Sequence, residues 1–313
     1  MNEHEHDRVQ AGKIIDTAQQ LAVDRVTEEV IPALKAHGVR SILLKRPSFA
    51  AWLYRDDGSR PYTDVDLLIA PETVPAAHEV LAALGFKPWW EPSSFFMRGL
   101  DQVDLHCSIK GACVTDDRAW AVLSATTEPQ RVEGLELEVL SEPARALHVA
   151  LHAAQHGPDW SVQMEDLRRA VEMLPFETWE AAAAVAVLLD ATAAFGTGLR
   201  LLPAGEAVAN RLGLSREASV ATVLRATSPP PLAPGFEDLR AIRGLRPKVR
   251  FIARKLFPSR SYMRAMVPAA RRGPAGLALA YCRRLIWLAR HAIPGWRAWR
   301  QARREAGSSN GRS

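Results

Sequence analysis

The spacing of apolar positions divides the chain into two kinds of pattern. Ile14, Ile15, Ala18, Leu21, Val26, Val30 and Leu34 recur near helical period and predict a helix over 11–37, with Gly38 as its stop. "VRSILLK" (39–45) is a short, partly β-branched run that reads as a buried strand. A short helix over 48–54 follows Pro47, and "RDDGSRP" (55–61) has turn composition. "TDVDLLIA" (63–70) reads as a strand ended by Pro71. "ETVPAAHEVLAALGF" reads as an amphipathic helix closed by Gly85. "SSFFMRG", "QVDLHCSI" (102–109) and "LELEVL" (135–140) supply further strands, with a turn near Gly99. Helix, strand, helix, strand, helix and strands in this order predict a mixed α/β (α+β) domain over 1–142.

After Glu142-Pro143 the period becomes helical throughout. "PARALHVALHAAQHG", "SVQMEDLRRAVEML", "TWEAAAAVAVLLDATAAFG" and "GEAVANRLGL" predict a helical domain over 143–226. A proline-rich linker is expected over 227–239. Basic helices interrupted by Pro258, Pro268, Pro274 and Pro294 fill 240–304, and a disordered tail is expected over 305–313.

Charge changes this picture. Residues 1–239 carry 21 Lys/Arg and 34 Asp/Glu, whereas residues 240–313 carry 19 Lys/Arg against the single acid Glu305. An acidic body with a strongly basic C-terminal region suits an anionic partner for 240–304: an anionic membrane surface or an acidic protein, with nucleic acid ranked behind them. A bundle-completing role with arginine on the wet face is the plainer reading. The three cysteines are odd in number and form no CxxC pair, so neither a disulfide framework nor a cysteine zinc site is indicated, and a reducing cytoplasm fits best. The polar N-terminus lacks an apolar signal core, and arginines interrupt the most apolar C-terminal stretch. The expected location is therefore cytoplasmic, or peripheral to a membrane.

The candidate chemistry lies in "RPYTDVDLLIA" (60–70). Alternation along a strand puts Asp64 and Asp66 on one side, about 6–7 Å apart by rise. Carboxylates so placed repel unless a cation neutralises them. Asp104, on another predicted strand, can join them if the two strands are neighbours. Three acids on adjacent strands suit one or two Mg²⁺ ions shared with the phosphates of a nucleoside triphosphate, for in-line transfer at phosphorus. A solvated acidic turn is the alternative for the pair alone.

"ILLKRPSFAAWLYRDDGSRPYTDVDLLIA", "LAALGF", "VDLHCSI" and "LHVALHAAQHG…EDLRRAV" together resemble the uncharacterised nucleotidyltransferase family of the polymerase-β-like superfamily. The matching positions are Lys45, Arg60, Asp64, Asp66, Asp104 and His106. The resemblance implies a mixed-sheet nucleotidyltransferase core with a helical domain behind it. It also implies transfer of a nucleoside monophosphate from an NTP to an acceptor, with release of pyrophosphate. On that reading Asp64, Asp66 and Asp104 are the catalytic, metal-holding acids. Lys45, Arg46, Ser48 and Arg60 are the candidate nucleotide contacts, with a solvated charge the alternative for Lys45 and a salt bridge to Asp56 or Asp57 that for Arg60, and His106 supports the metal site. The chain departs from the superfamily at Arg46, where the pattern has glycine; Pro47 follows and removes a backbone donor. An arginine there can contact phosphate or block it, so a binding protein with impaired turnover is the second reading.

His148, His152 and His156 share one helix face at four-residue spacing. His152 and His156, with Asp166 on the next helix, can support a cleft, or all three histidines can form a polar packing seam. Trp89-Trp90 reads as packing before base stacking. No GxGxxG, P-loop, GxSxG or HExxH is present.

Overall fold

A computed structural model gives the architecture. It describes residues 3–45, 48–54, 60, 63–89, 94–132, 135–216, 220, 224, 229–242 and 244–309. Arg46, Pro47, all of the turn expected over 55–61 except Arg60, Trp90 and residues 310–313 lie outside the described residues.

The elements run α1 (Glu3–Ala36), β1 (Ser41–Leu43), α2 (Ser48–Leu53), β2 (Val65–Ile69), α3 (Val74–Ala83), β3 (Lys87–Pro88), β4 (Phe95–Arg98) and β5 (Asp101–His106). Then come α4 (Asp116–Leu123), β6 (Thr127–Val132), β7 (Leu135–Leu140), α5 (Glu142–His156), α6 (Ser161–Met173), α7 (Phe176–Leu188), α8 (Thr192–Leu199) and α9 (Pro203–Arg211). Seven strands form one sheet in the order β3-β4-β5-β2-β1-β7-β6. The β2–β5 and β1–β7 pairings are parallel and the others antiparallel, so the sheet is mixed, as expected from the sequence.

The chain divides into two compact units. The first comprises residues 1–88, 93–149 and 169–191, and contains the whole sheet. It keeps Glu142–Val149 of α5 and all of α7, so the division falls later in the chain than the 142/143 composition change. Its core joins Val23, Val26, Val30 and Leu34 of α1 and Ala77, Val80 and Leu81 of α3 to alternate sheet residues: Leu43, Val65, Leu67, Ile69, Val103, Leu105, Leu137 and Val139. These odd-numbered positions of β2 and β5 define the helix-covered face. The even-numbered positions, Asp66, Leu68, Asp104 and His106, point to the opposite face.

Both predicted glycine stops are present, and each needs positive φ. At Gly38 (φ +74°) the amides of Gly38 and Val39 donate to the carbonyls of Lys35 and Leu34. At Gly85 (φ +85°) the amides of Gly85 and Phe86 donate to Ala82 and Leu81. Both are helix ends of the Schellman type, where glycine avoids the Cβ penalty. Each turn feeds the chain directly back toward the sheet.

The start of α5 is tied to α2 and to the sheet edge. Trp52 Nε1 donates to Glu142 Oε1 at 3.1 Å, the Glu142 amide donates to Glu128 Oε1 at 2.7 Å, and the Arg145 guanidinium lies 4.7 Å from the Trp52 ring while pairing with Glu128.

The second unit comprises residues 89–92, 150–168 and 192–313. Gly198 lets α8 approach α5 closely: a Cβ there would lie 2.0 Å from the Ala150 carbonyl oxygen. Within this unit three expectations are corrected. The stretch expected as a linker over 227–239 is helical from Ala233, in a helix over Ala233–Ala241, because Ala233 is buried with Leu224 and Ala302 and the proline near its first turn is compatible with a helix start. Pro294 does not break the last helix, which runs over Gly273–Ser309. Gly295 packs against Leu232 and Ala233, and Trp299 Nε1 donates to Glu237 Oε2 at 2.8 Å, so tertiary contacts carry the helix past the proline. The same helix covers 305–309, where a disordered tail was expected. Burial of Ala302 and a Gln301–Glu305 hydrogen bond of 2.9 Å hold that turn.

Candidate metal and nucleotide site

β2 and β5 lie side by side with Asp66 paired to Asp104 and Leu68 paired to His106. A parallel ladder puts side chains of paired residues on the same face, so this register delivers two carboxylates and an imidazole to one patch. Ligand atoms of Asp66, Asp104 and His106 all lie within 4.8 Å of one another. Asp66 is 2% exposed, and it sits on the central strand β2, whose five residues are all buried.

Asp66 Oδ1 accepts from the Lys45 ammonium at 2.7 Å and contacts His106 Nε2 at 2.9 Å. His106 Nε2 is also 3.4 Å from Asp104 Oδ2. Asp104 Oδ1 accepts from Ser94 Oγ at 2.9 Å. Burial by itself would push the Asp66 carboxyl up. The Lys45 ammonium and the His106 hydrogen bond overcome it and hold Asp66 well below the usual carboxylate range, so it is ionised at neutral pH.

The fate of each expected residue differs. Asp66 and Asp104 meet because their strands are neighbours, the condition the sequence reading set for Asp104. Asp64 is half-buried and lies outside the clustered ligand atoms. The β2–β5 ladder begins at Val65↔Val103, one residue after Asp64, so strand geometry does not fix its direction. His106 stands in the third position instead. Lys45, expected at the phosphates, pairs with Asp66. Ser48 is fully buried at the start of α2, and its Oγ has no hydrogen-bond partner among the described residues. Arg60 is 1% exposed: its carbonyl accepts from Gln20 Nε2 at 3.2 Å and its guanidinium lies 5.5 Å from the Phe49 ring. Arg46 lies outside the described residues.

His148 belongs to this first unit, and sequence reasoning placed it only in a histidine seam. It is buried, and its ring meets the Phe49 ring edge-on at 5.7 Å. Burial, followed by the Lys45 charge, drives its pKa down to about 3, so it is neutral in the folded chain. The four-residue histidine spacing was the available signal; the missing information was that the first turns of α5 pack beside α2. His152 and His156 belong to the second unit, where their rings meet at 4.6 Å and His156 lies 4.9 Å from the Trp160 ring.

Two carboxylates and an imidazole, with one carboxylate ionised and buried, form a donor set suited to a divalent cation. The carboxylate oxygens are the hard ligands that Mg²⁺ prefers. The Lys45 ammonium already neutralises Asp66, so a cation entering here competes with it.

No curated protein matches the chain. The solution structure of the antibiotic-resistance factor ANT(2'')-Ia matches at 18% identity over 56% of this chain and 91% of that one, with a TM-score of 0.39. A family model described as an uncharacterised nucleotidyltransferase matches residues 11–204, a span holding every sheet strand and the Asp66–Asp104–His106 group. The chain belongs to that uncharacterised nucleotidyltransferase family.

Proposed function

We propose that the chain moves a nucleoside monophosphate from an NTP to a small-molecule, peptide or protein acceptor, using Mg²⁺ held by Asp66 and Asp104. The observation that carries this reading is the register pairing of Asp66 with Asp104 on adjacent parallel strands, inside the matched family span. Mg²⁺ bound to these carboxylates supplies charge neutralisation for the triphosphate and for the transition state of in-line displacement. Asp66 binds as an anion, because it is already ionised. His106 orients it through the 2.9 Å contact. Lys45 leaves Asp66 for a phosphate oxygen when the triphosphate binds. Ser48, whose buried hydroxyl has no hydrogen-bond partner among the described residues, donates to the phosphates, and Arg46 and Arg60 complete the anion-binding set. Asp64 joins the acids from the segment preceding β2. Asp104 accepts the proton of the acceptor hydroxyl as that oxygen bonds to the α-phosphorus and the bond to pyrophosphate breaks. An NTP-containing, reducing cytoplasm fits this assignment, since no disulfide forms among the described residues.

The test uses NTPs labelled in the α- or γ-phosphate, offered with Mg²⁺ and a panel of hydroxyl-bearing acceptors and cell-extract fractions. Label from the α-position should appear on an acceptor, and label from the γ-position should leave as pyrophosphate. Transfer of γ-label would make the protein a kinase and end this reading.

The Lys45–Asp66 pair favours a second reading. A side-chain cation at 2.7 Å already fills the position a metal would take, as in a nucleotidyltransferase fold kept for binding without turnover. Nucleotide binding without transfer to any acceptor, unchanged in Asp104→Asn, would select it.

A further inference from the structure

We propose that the helix Leu245–Leu256 docks the protein on an anionic lipid surface, lying in the plane of the membrane interface. This inference is independent of the transfer reaction. The helix buries none of its residues in the chain. Leu245, Val249, Ile252 and Leu256 recur at helical spacing and form one stripe. Leu245 is 78% exposed, Val249 56% and Ile252 41%, so the stripe faces solvent along the helix. Arg246, Arg250 and Arg254 border it on one side, Lys248 and Lys255 on the other. No acid occurs between Arg240 and Arg304, so the neighbouring sequence does not neutralise this charge.

The combination selects the partner. Nucleic acid would satisfy the five cations and leave the apolar stripe wet. An anionic bilayer satisfies both, taking the stripe into the acyl boundary and the cations onto its phosphates. At about 18 Å long, the helix is too short to cross a bilayer and long enough to lie in its interface. No helix among the described residues is long and apolar enough to span a membrane. A second exposed line supports the same surface chemistry. Leu279, Ile286 and Ile293 recur every seven residues along the last helix at 47%, 54% and 61% exposure, beside Arg283, Arg290 and Arg297. The two helices are joined: the Arg284 guanidinium donates to the Lys255 carbonyl at 2.7 Å, and Tyr281 OH donates to the Pro258 carbonyl at 2.7 Å.

The experiment is co-sedimentation of the full chain with vesicles of phosphatidylcholine alone or mixed with phosphatidylglycerol, with a single-stranded oligonucleotide measured in parallel. The native chain should pellet with the mixed vesicles and remain in the supernatant with the neutral ones. The pair Val249→Asp and Ile252→Asp alters only exposed positions and should leave the thermal transition unchanged. It should weaken partition into mixed vesicles about ten-fold or more. Arg246→Glu with Arg250→Glu should do the same and also lower oligonucleotide binding. The proposal is overturned if the native chain ignores anionic vesicles, or if the aspartate pair leaves vesicle binding intact. It is also overturned if the oligonucleotide is bound tightly while the vesicles are not.

Discussion

Replacing Lys45 with Met removes the ammonium from Asp66 while keeping an unbranched stem of similar length. Asp66 is 3% exposed at its side chain and Lys45 19%, so the substitution leaves a buried carboxylate in place of a buried pair. Breaking such a pair by removing one partner costs about 3–5 kcal/mol, because the remaining charge loses its compensation. His106 stays 2.9 Å from the same oxygen, which points to the lower end, about 3 kcal/mol. The double variant Lys45→Met with Asp66→Asn removes both charges and should be more stable than Lys45→Met alone. The pH sign follows from the lowered Asp66 pKa. The pair's contribution is full above the ordinary carboxylate value, near pH 4, and is lost as pH falls through the lower folded value. The deficit of Lys45→Met should therefore be largest at neutral pH and shrink in acid. Urea denaturation at pH 7 and pH 3 measures all of this. Mg²⁺ adds a second readout: a cation that takes the place of the ammonium at 100 times its Kd returns about 2.7 kcal/mol, and should stabilise Lys45→Met more than the native chain. A loss below about 1 kcal/mol for Lys45→Met, or a double variant less stable than the single, would refute the reasoning.

Other outcomes follow from the same structure. His148 is neutral when folded and has a pKa of about 3, so it favours the folded state above pH 6.5 and loses that contribution as pH falls toward 3. Stability should drop by about 1.4 kcal/mol per pH unit across that window. His148→Gln should flatten the slope in a urea series; an unchanged slope would assign the acid sensitivity elsewhere. Gly198→Ala places a Cβ 2.0 Å from a backbone oxygen that cannot swing aside, and should cost about 1–3 kcal/mol, read as a Tm several degrees lower. Asp66→Asn and Asp104→Asn should each lower label transfer by about 100-fold or more, with the thermal transition of Asp104→Asn near native.

Much of the architecture was legible because the relevant signals are local. The helix stops at Gly38 and Gly85 and the apolar run of β2 follow from dihedral freedom and patterning. The pairing of Asp66 with Asp104 was inferred only on the condition that their strands are neighbours, and the parallel β2–β5 ladder supplies that condition. Elements at the sheet margin were hidden. β6 reads "TEPQRV", a polar run with Pro129, which suits an edge strand and carries no apolar period. The eight-residue α4 announces itself mainly by Thr115, whose hydroxyl accepts from the Arg118 amide. Side-chain partners were less legible still. Nothing in "LLKRPS" says that Lys45 turns onto Asp66, because that contact depends on the antiparallel β1–β2 pairing. Where Asp64 points depends on where the ladder starts, a boundary that periodicity does not set to one residue.

The most direct test of the nucleotidyltransferase assignment is calorimetric titration of ATP, CTP, GTP and UTP into the native chain and into Asp104→Asn, each with and without Mg²⁺. The account predicts that at least one NTP binds the native chain only with Mg²⁺, and that the substitution abolishes the Mg²⁺-dependent heat. Absence of binding by all four, or binding that ignores both Mg²⁺ and Asp104, would contradict it.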